Sequence, residues 1–382
     1  MSVTLPAGFV AAGHTAGLKE SGRPDLAVVR NLGPDQHAAA VFTSNRVQAA
    51  PVVHSRQVCD GTLAAVILNS GGANACTGAA GLADARQMAE LTGAALEVPA
   101  DQVAVCSTGL IGVRLPMDRL AAAIPQVCAT ANADGGPAAA EAVMTTDTVP
   151  KEASHVGAGW SIGGFAKGAG MLAPGLATML CVLTTDAVLD PAALQRALHA
   201  ACEVTLNRVD SDGCMSTNDT VIALSSGASG VAVGEAEFTA ALIGVCHDLS
   251  QQLLRDAEGA QHDIAVEVVG AATETDAVTV GRAVTASNLF KCAIFGKDPN
   301  WGRVLAAVGT TDAAFDPDQL DVSFNGVTVC RNGAIGDDRD LVDLSPREVT
   351  VQVNLKAGSA TATVWTNDLT YDYVAENAEY ST

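Results

Sequence analysis

The chain has 382 residues, with 21 Lys and Arg against 42 Asp and Glu, a formal net charge of −21. Such a length suits two to three domains or one large α/β body with an appendage. The negative charge repels phosphate backbones and anionic lipid, so neither nucleic acid nor membrane is expected as a partner. Hydrophobic residues make up 48% of the chain and aromatics only 4%, which asks for a core of small aliphatic side chains in close packing.

In chain order, the apolar run 62–68 between turn residues reads as a buried strand, and 82–91 as a helix. A strand is expected over 178–183, directly after a Gly/Pro-rich loop. Asp190-Pro191 then supplies a helix cap and a first-turn proline, followed by Leu194, Ala197, Leu198 and Ala201 at i, i+3, i+4, i+7. Residues 220–224 form another short apolar run. A longer helix over 235–256 carries Phe238, Leu242, Val245, Leu249 and Leu253 on one stripe. Strands close the series at 264–269, 349–355 and 360–365. This order does not repeat as a regular βαβ series, so helix-covered sheets are expected but not a simple doubly wound one.

Ten cysteines are scattered without a CxxC pair, mostly in apolar runs. They read as buried free thiols of a reducing compartment. The first residues have no basic or apolar leader pattern and no stretch of about 18 apolar residues occurs, so a cytoplasmic protein is expected. The seven histidines lack carboxylate or cysteine neighbours at ligand spacing, and no metal or resident cofactor is expected. Gly159-Trp-Ser161-Ile-Gly163 matches GxSxG, but the glycine-rich continuation cannot open a helix, so a hydrolase elbow fails. GxGxxA at 168–173 lacks the strand and helix of a dinucleotide site.

More specific information lies in six longer segments. They are Asn69-Ser-Gly-Gly-Ala-Asn-Ala-Cys-Thr-Gly78, Cys106-Ser-Thr-Gly-Leu-Ile-Gly112, Met144-Thr-Thr-Asp-Thr-Val-Pro-Lys151, the run 167–186 beginning Lys167-Gly-Ala-Gly, Ser216-Thr-Asn-Asp-Thr220, and Phe295-Gly-Lys-Asp-Pro-Asn-Trp-Gly-Arg303. In this order, and essentially end to end, they resemble the ornithine acetyltransferase (ArgJ) family of arginine biosynthesis. The resemblance implies a DmpA/ArgJ-like layered α-β-β-α body with a smaller C-terminal lobe from about residue 300. It also implies a precursor that cuts itself between Ala177 and Thr178 into an α chain, 1–177, and a β chain, 178–382.

By the same resemblance, Thr178 is the nucleophile and its freed α-amine the base, since such amines titrate near ~7.7–8.0. Thr108 and Gly109 are the oxyanion donors. Thr145, Lys167, Thr178, Glu258, Asn377 and Thr382 contact substrate. The implied reaction carries acetyl from N-acetylornithine to glutamate through an acetyl-threonine, with acetyl-CoA as a further donor in bifunctional members, in a heterotetramer of two α and two β chains. One departure stands out. The family pattern after the acidic residue is Glu-Gly-Ala/Val-Thr-Lys, whereas Glu258-Gly-Ala is followed here by Gln261-His262. Two other readings remain open: a DmpA-like amidase or aminopeptidase using the same self-processing, and an unprocessed relative that only binds.

Overall fold

The computed structural model describes residues 3–173 and 179–379. Ala177, Thr178 and Thr382 lie outside them. The chain divides into two compact units, one of residues 3–173, 179–207 and 214–253, the other of 208–213 and 254–379.

In the first unit the strands are β1 (Phe9–His14), β2 (Leu26–Asn31), β3 (His37–Phe42), β4 (Ala65–Ser70), β5 (Val103–Thr108), β6 (Lys151–Val156), β7 (Ser161–Lys167), β8 (Leu180–Thr185) and β9 (Thr220–Ser225). Its helices are α1 (Ala50–Val58), α2 (Gly78–Leu96), α3 (Met117–Thr130), α4 (Gly136–Ala142), α5 (Pro191–Val204) and most of α6 (Glu235–Arg255). Two sheets form, ordered β1-β2-β4-β5 and β3-β9-β8-β7-β6. Each has one parallel pair, β4 with β5 and β8 with β9, among antiparallel neighbours.

Neighbouring residues of a strand face opposite ways, and the core divides accordingly. Val29, Val66, Leu68 and Ala104 of the first sheet meet Phe165, Val182, Ile222 and Leu224 of the second in one cluster between the sheets. Their strand neighbours Val28, Ile67 and Val105 turn outward onto Met88, Leu120 and Ile124 of α2 and α3. Cys181, Leu183 and Val221 likewise turn onto Leu194, Leu198, Phe238, Leu242 and Leu249 of α5 and α6. The layering is therefore α-β-β-α, as expected. Strands covered on both faces lose the alternation of a half-exposed strand, and β4, β5, β8 and β9 are buried at every position.

The second unit contains β10 (Asp263–Ala271), β11 (Asp321–Phe324), β12 (Val327–Arg331), β13 (Ala334–Ile335), β14 (Glu348–Asn354) and β15 (Ala360–Asn367), with α7 (Glu274–Thr285), α8 (Asn288–Phe295), α9 (Trp301–Val308) and α10 (Tyr371–Glu379). Its sheet runs β13-β12-β11-β14-β10-β15. Val266, Val268, Val351 and Val353 pack against Val280, Val284, Phe290 and Val304 of α7, α8 and α9. The smaller lobe thus begins at Leu254, earlier than the expected residue 300. The reason is that β10 is a central strand of this sheet, flanked by β14 and β15, and α7 and α8 cover it.

Candidate active site

The candidate site lies in the first unit, where β5 and β7 end. Thr108 closes β5 and is buried, and its carbonyl accepts the Gly72 amide at 2.9 Å. Gly109 follows at φ +126°, and a β-carbon there would lie 2.5 Å from the Gly72 nitrogen, so the turn requires glycine. Two of the family segments fasten this turn. Asn69 donates to the Gly72 carbonyl at 3.0 Å and accepts the Ser107 hydroxyl at 2.6 Å. Asn218 donates to the carbonyls of Ala73 and Ser107 at 2.6 and 2.8 Å.

Lys167 ends β7 with its ammonium buried. It donates to the hydroxyl of Thr145 at 2.8 Å and to that of Thr108 at 3.3 Å. The structure thus brings together three of the residues expected from the sequence, with Gly109 next in the chain. Asp147 stands behind them as the counter-charge, which the sequence reading did not single out. One carboxylate oxygen accepts Lys151 Nζ at 2.6 Å and the Gly168 amide at 2.7 Å. The other accepts the Thr145 amide at 2.9 Å and lies 3.9 Å from Lys167 Nζ. Burial pushes the Asp147 carboxyl up, but the Lys167 and Lys151 charges and the hydrogen bonds outweigh it and hold the group at about 2. Residues 144–150 belong to neither helix nor strand, so no periodicity in the sequence marks this pair.

Asp219 was also missed. It is fully buried and accepts the amide of Met179, the residue after Thr178, at 2.9 Å. Burial drives its carboxyl well above the usual range, against the Met179 amide, the Ser216 hydroxyl and the Lys167 charge.

Thr178, Ala177 and Thr382 fall outside the described residues. Glu258 and Asn377 belong to the second unit, where Asn377 donates to the Glu258 carboxylate at 2.8 Å. Gln261 and His262, where the family pattern is broken, are anchored by Asp368, which accepts both backbone amides at 3.0 and 2.9 Å and meets the imidazole at 2.7 Å. In Phe295–Arg303 the visible role is structural: the Asn300 side chain caps α9.

A strand, β7, does lead into the GxGxxA run at 168–173, contrary to the sequence expectation. Ser161 opens β7 and is tied through its amide and hydroxyl to Asp186, at 2.7 and 3.1 Å. All ten cysteines are unpaired, but Cys76, Cys214 and Cys292 are exposed where burial was expected. Burial pushes the Cys106 thiol up to about 12, so it offers no thiolate beside the turn. No helix among the described residues is long and apolar enough to cross a membrane.

A family model described as the ArgJ family matches residues 10–382. The chain is 64% identical to the arginine biosynthesis bifunctional protein ArgJ of Thermobifida fusca and 62% identical to that of Streptomyces coelicolor, in each case over 100% of both chains. Among solved structures it is similar to the arginine biosynthesis bifunctional protein argJ of Bacillus halodurans, with 37% identity and a TM-score of 0.50, covering 52% of this chain and 97% of that one. It is also similar to the ornithine acetyltransferase of Mycobacterium tuberculosis complexed with ornithine, with 55% identity and a TM-score of 0.45, covering 47% and 96%.

Proposed function

The chain belongs to the ArgJ family, and from that premise we propose that it moves the acetyl group of N-acetylornithine to glutamate through an acetyl ester on Thr178. The observation that carries the reading is the buried Lys167 ammonium held between the hydroxyls of Thr145 and Thr108, beside a turn that only glycine fits. A buried cation of this kind suits a substrate carboxylate, and the Thr108–Gly109 turn suits the oxyanion of an attacked carbonyl.

The nucleophile arises by self-cleavage. The Thr178 hydroxyl attacks the Ala177 carbonyl, the acyl group passes from nitrogen to oxygen, and water hydrolyses the ester to leave Thr178 with a free α-amine. In turnover that amine takes the hydroxyl proton as the oxygen attacks the acetyl carbonyl, then gives it to the departing ornithine nitrogen. Glutamate's amine attacks the ester, and Thr178 regains its proton as N-acetylglutamate leaves. Thr145, Lys167, Glu258, Asn377 and Thr382 bind the amino-acid substrates, with Glu258 suited to the ornithine ammonium. The bifunctional naming of the relatives supports a second activity, acetylation of glutamate from acetyl-CoA.

Cleavage also fits the length of the Bacillus halodurans chain. It is matched almost entirely by 52% of this one, about 199 residues, close to the 205 that follow residue 177. The two pieces assemble as a heterotetramer of two α and two β chains in the cytoplasm.

Intact mass of the purified protein tests the reading. Two fragments joining at Ala177/Thr178 are expected, the second gaining one acetyl group when acetylornithine is added without glutamate. Thr178→Ala stays full length and inactive. A single full-length mass for active enzyme overturns the mechanism, and acetate release independent of glutamate marks a hydrolase instead.

A further inference from the structure

We propose that Lys19 and Arg23, on the loop between β1 and β2, form a second carboxylate-binding point on the solvent side of the Lys167 site and so select a dicarboxylate acceptor. This deepens the acyl transfer proposed above and rests on it.

The loop is built to hold a shape. Asp25 is fully buried, and its carboxylate accepts the amides of Ala16, Leu18 and Lys19 at 2.6, 2.5 and 3.1 Å. Lys19 Nζ donates to the Pro24 carbonyl at 2.7 Å, which curls the loop back on itself and leaves the ammonium two further donors. The curled loop touches the site from two sides. Leu18 packs on Gly71, where an added β-carbon would come within 3.1 Å of the leucine's own, and the Gly71 backbone in turn backs Gly109. From the other side, Arg23 Nη2 donates at 3.3 Å to the carbonyl of Thr145, whose hydroxyl receives Lys167.

Charge accounting then points to an anion. Around Thr145 stand four cations, Lys19, Arg23, Lys151 and Lys167, and two carboxylates, Asp25 and Asp147. Both carboxylates are already engaged, Asp25 by three amides and Asp147 by Lys151 and two amides. Neither Lys19 nor Arg23 enters an ion pair among the described residues. In a chain of net charge −21, this local surplus of positive charge is unusual. Burial lowers the Lys19 ammonium to about 8, with the Arg23 and Lys167 charges pushing the same way against Asp25 and Asp147. An incoming carboxylate relieves that repulsion.

Donor and acceptor differ in what they bring. N-acetylornithine carries one carboxylate and a side-chain ammonium, glutamate two carboxylates. With one carboxylate on buried Lys167, the second falls to the half-buried Lys19 and the exposed Arg23, whose planar fork suits bidentate pairing.

The test separates the half-reactions in K19M, R23Q and the double variant. Thermal unfolding and the two-fragment mass pattern serve as controls for folding and processing. The expected result is a KM for glutamate raised at least tenfold in the double variant, with the burst of ornithine from acetylornithine within about twofold of wild type. An acceptor whose side chain is uncharged, such as glutamine, should lose the discrimination. An unchanged glutamate KM overturns the proposal, as does an equal loss in the ornithine burst, which would assign the pair to general substrate attraction. Should wild-type protein form no N-acetylglutamate at all, the acyl-transfer reading itself falls, an outcome distinct from either.

Discussion

Two buried lysines share one buried carboxylate at Asp147, and the carboxylate is what makes Lys167 tolerable in the interior. Removing one partner of such a group leaves charge uncompensated, which typically costs about 3–5 kcal/mol. D147N should therefore lower the unfolding midpoint markedly, and urea titration at neutral pH measures it. The carboxyl sits at about 2 in the folded chain, below its ordinary value. Its contribution is thus complete above the unfolded pKa and fades as pH falls toward about 2. D147N should lose that acid-dependent component, and a variant as acid-sensitive as wild type would refute the assignment. Asp219 runs the opposite way. Burial raises its folded pKa, so the folded state binds the extra proton, and its share of stability declines as pH climbs from the ordinary carboxylate pKa toward the raised one. D219N keeps the shape and cannot ionise, so its urea midpoint should vary less between pH 5 and 8 than that of wild type. An identical slope in the two proteins would show that the folded state holds no extra proton at Asp219 in this range.

Turns and strands set how finely those residues are placed, and the Thr108–Gly109 turn is the sharpest case. Gly109→Ala puts a methyl group 2.5 Å from the Gly72 nitrogen at φ +126°, so the backbone donors must move. Loss of one oxyanion donor typically costs about 10²–10³ in kcat, and that range is expected here with KM little changed, measured by steady-state acyl transfer. The elements that sequence made legible were those with a period. The stripe Phe238, Leu242, Val245, Leu249 gave α6, Asp190-Pro191 gave the start of α5, and the strands later found as β4, β9, β10, β14 and β15 were bounded by turn residues. The first three strands and the β6–β7 hairpin were not recognised: β7 is Gly-rich and buried at every position, and the run of alanines in β3 carries no polar alternation to read. The site was legible only through family resemblance. Lys167 and Thr145 look like surface residues until β7 and the loop before β6 converge, and Asp147, Lys19 and Asp219 acquire their roles from burial, which local sequence does not encode.

Across the whole molecule, a net charge of −21 acts on substrates over longer distances than the cations around Thr145 do. Glutamate approaches with a net charge of about −1 at neutral pH, whereas N-acetylornithine is a zwitterion of about zero. The screening length falls from about 30 Å at 0.01 M salt to about 8 Å at 0.15 M. Distant carboxylates are silenced first, and Lys19, Arg23 and Lys167, in contact range of a bound carboxylate, are screened least. Added salt should therefore raise kcat/KM for glutamate about two- to threefold over that interval and leave acetylornithine nearly flat. If local attraction governed approach, the glutamate value would instead fall steadily from the lowest salt. Stopped-flow acyl transfer from preformed acetyl-enzyme to glutamate distinguishes the two, because it isolates the step in which the anion enters.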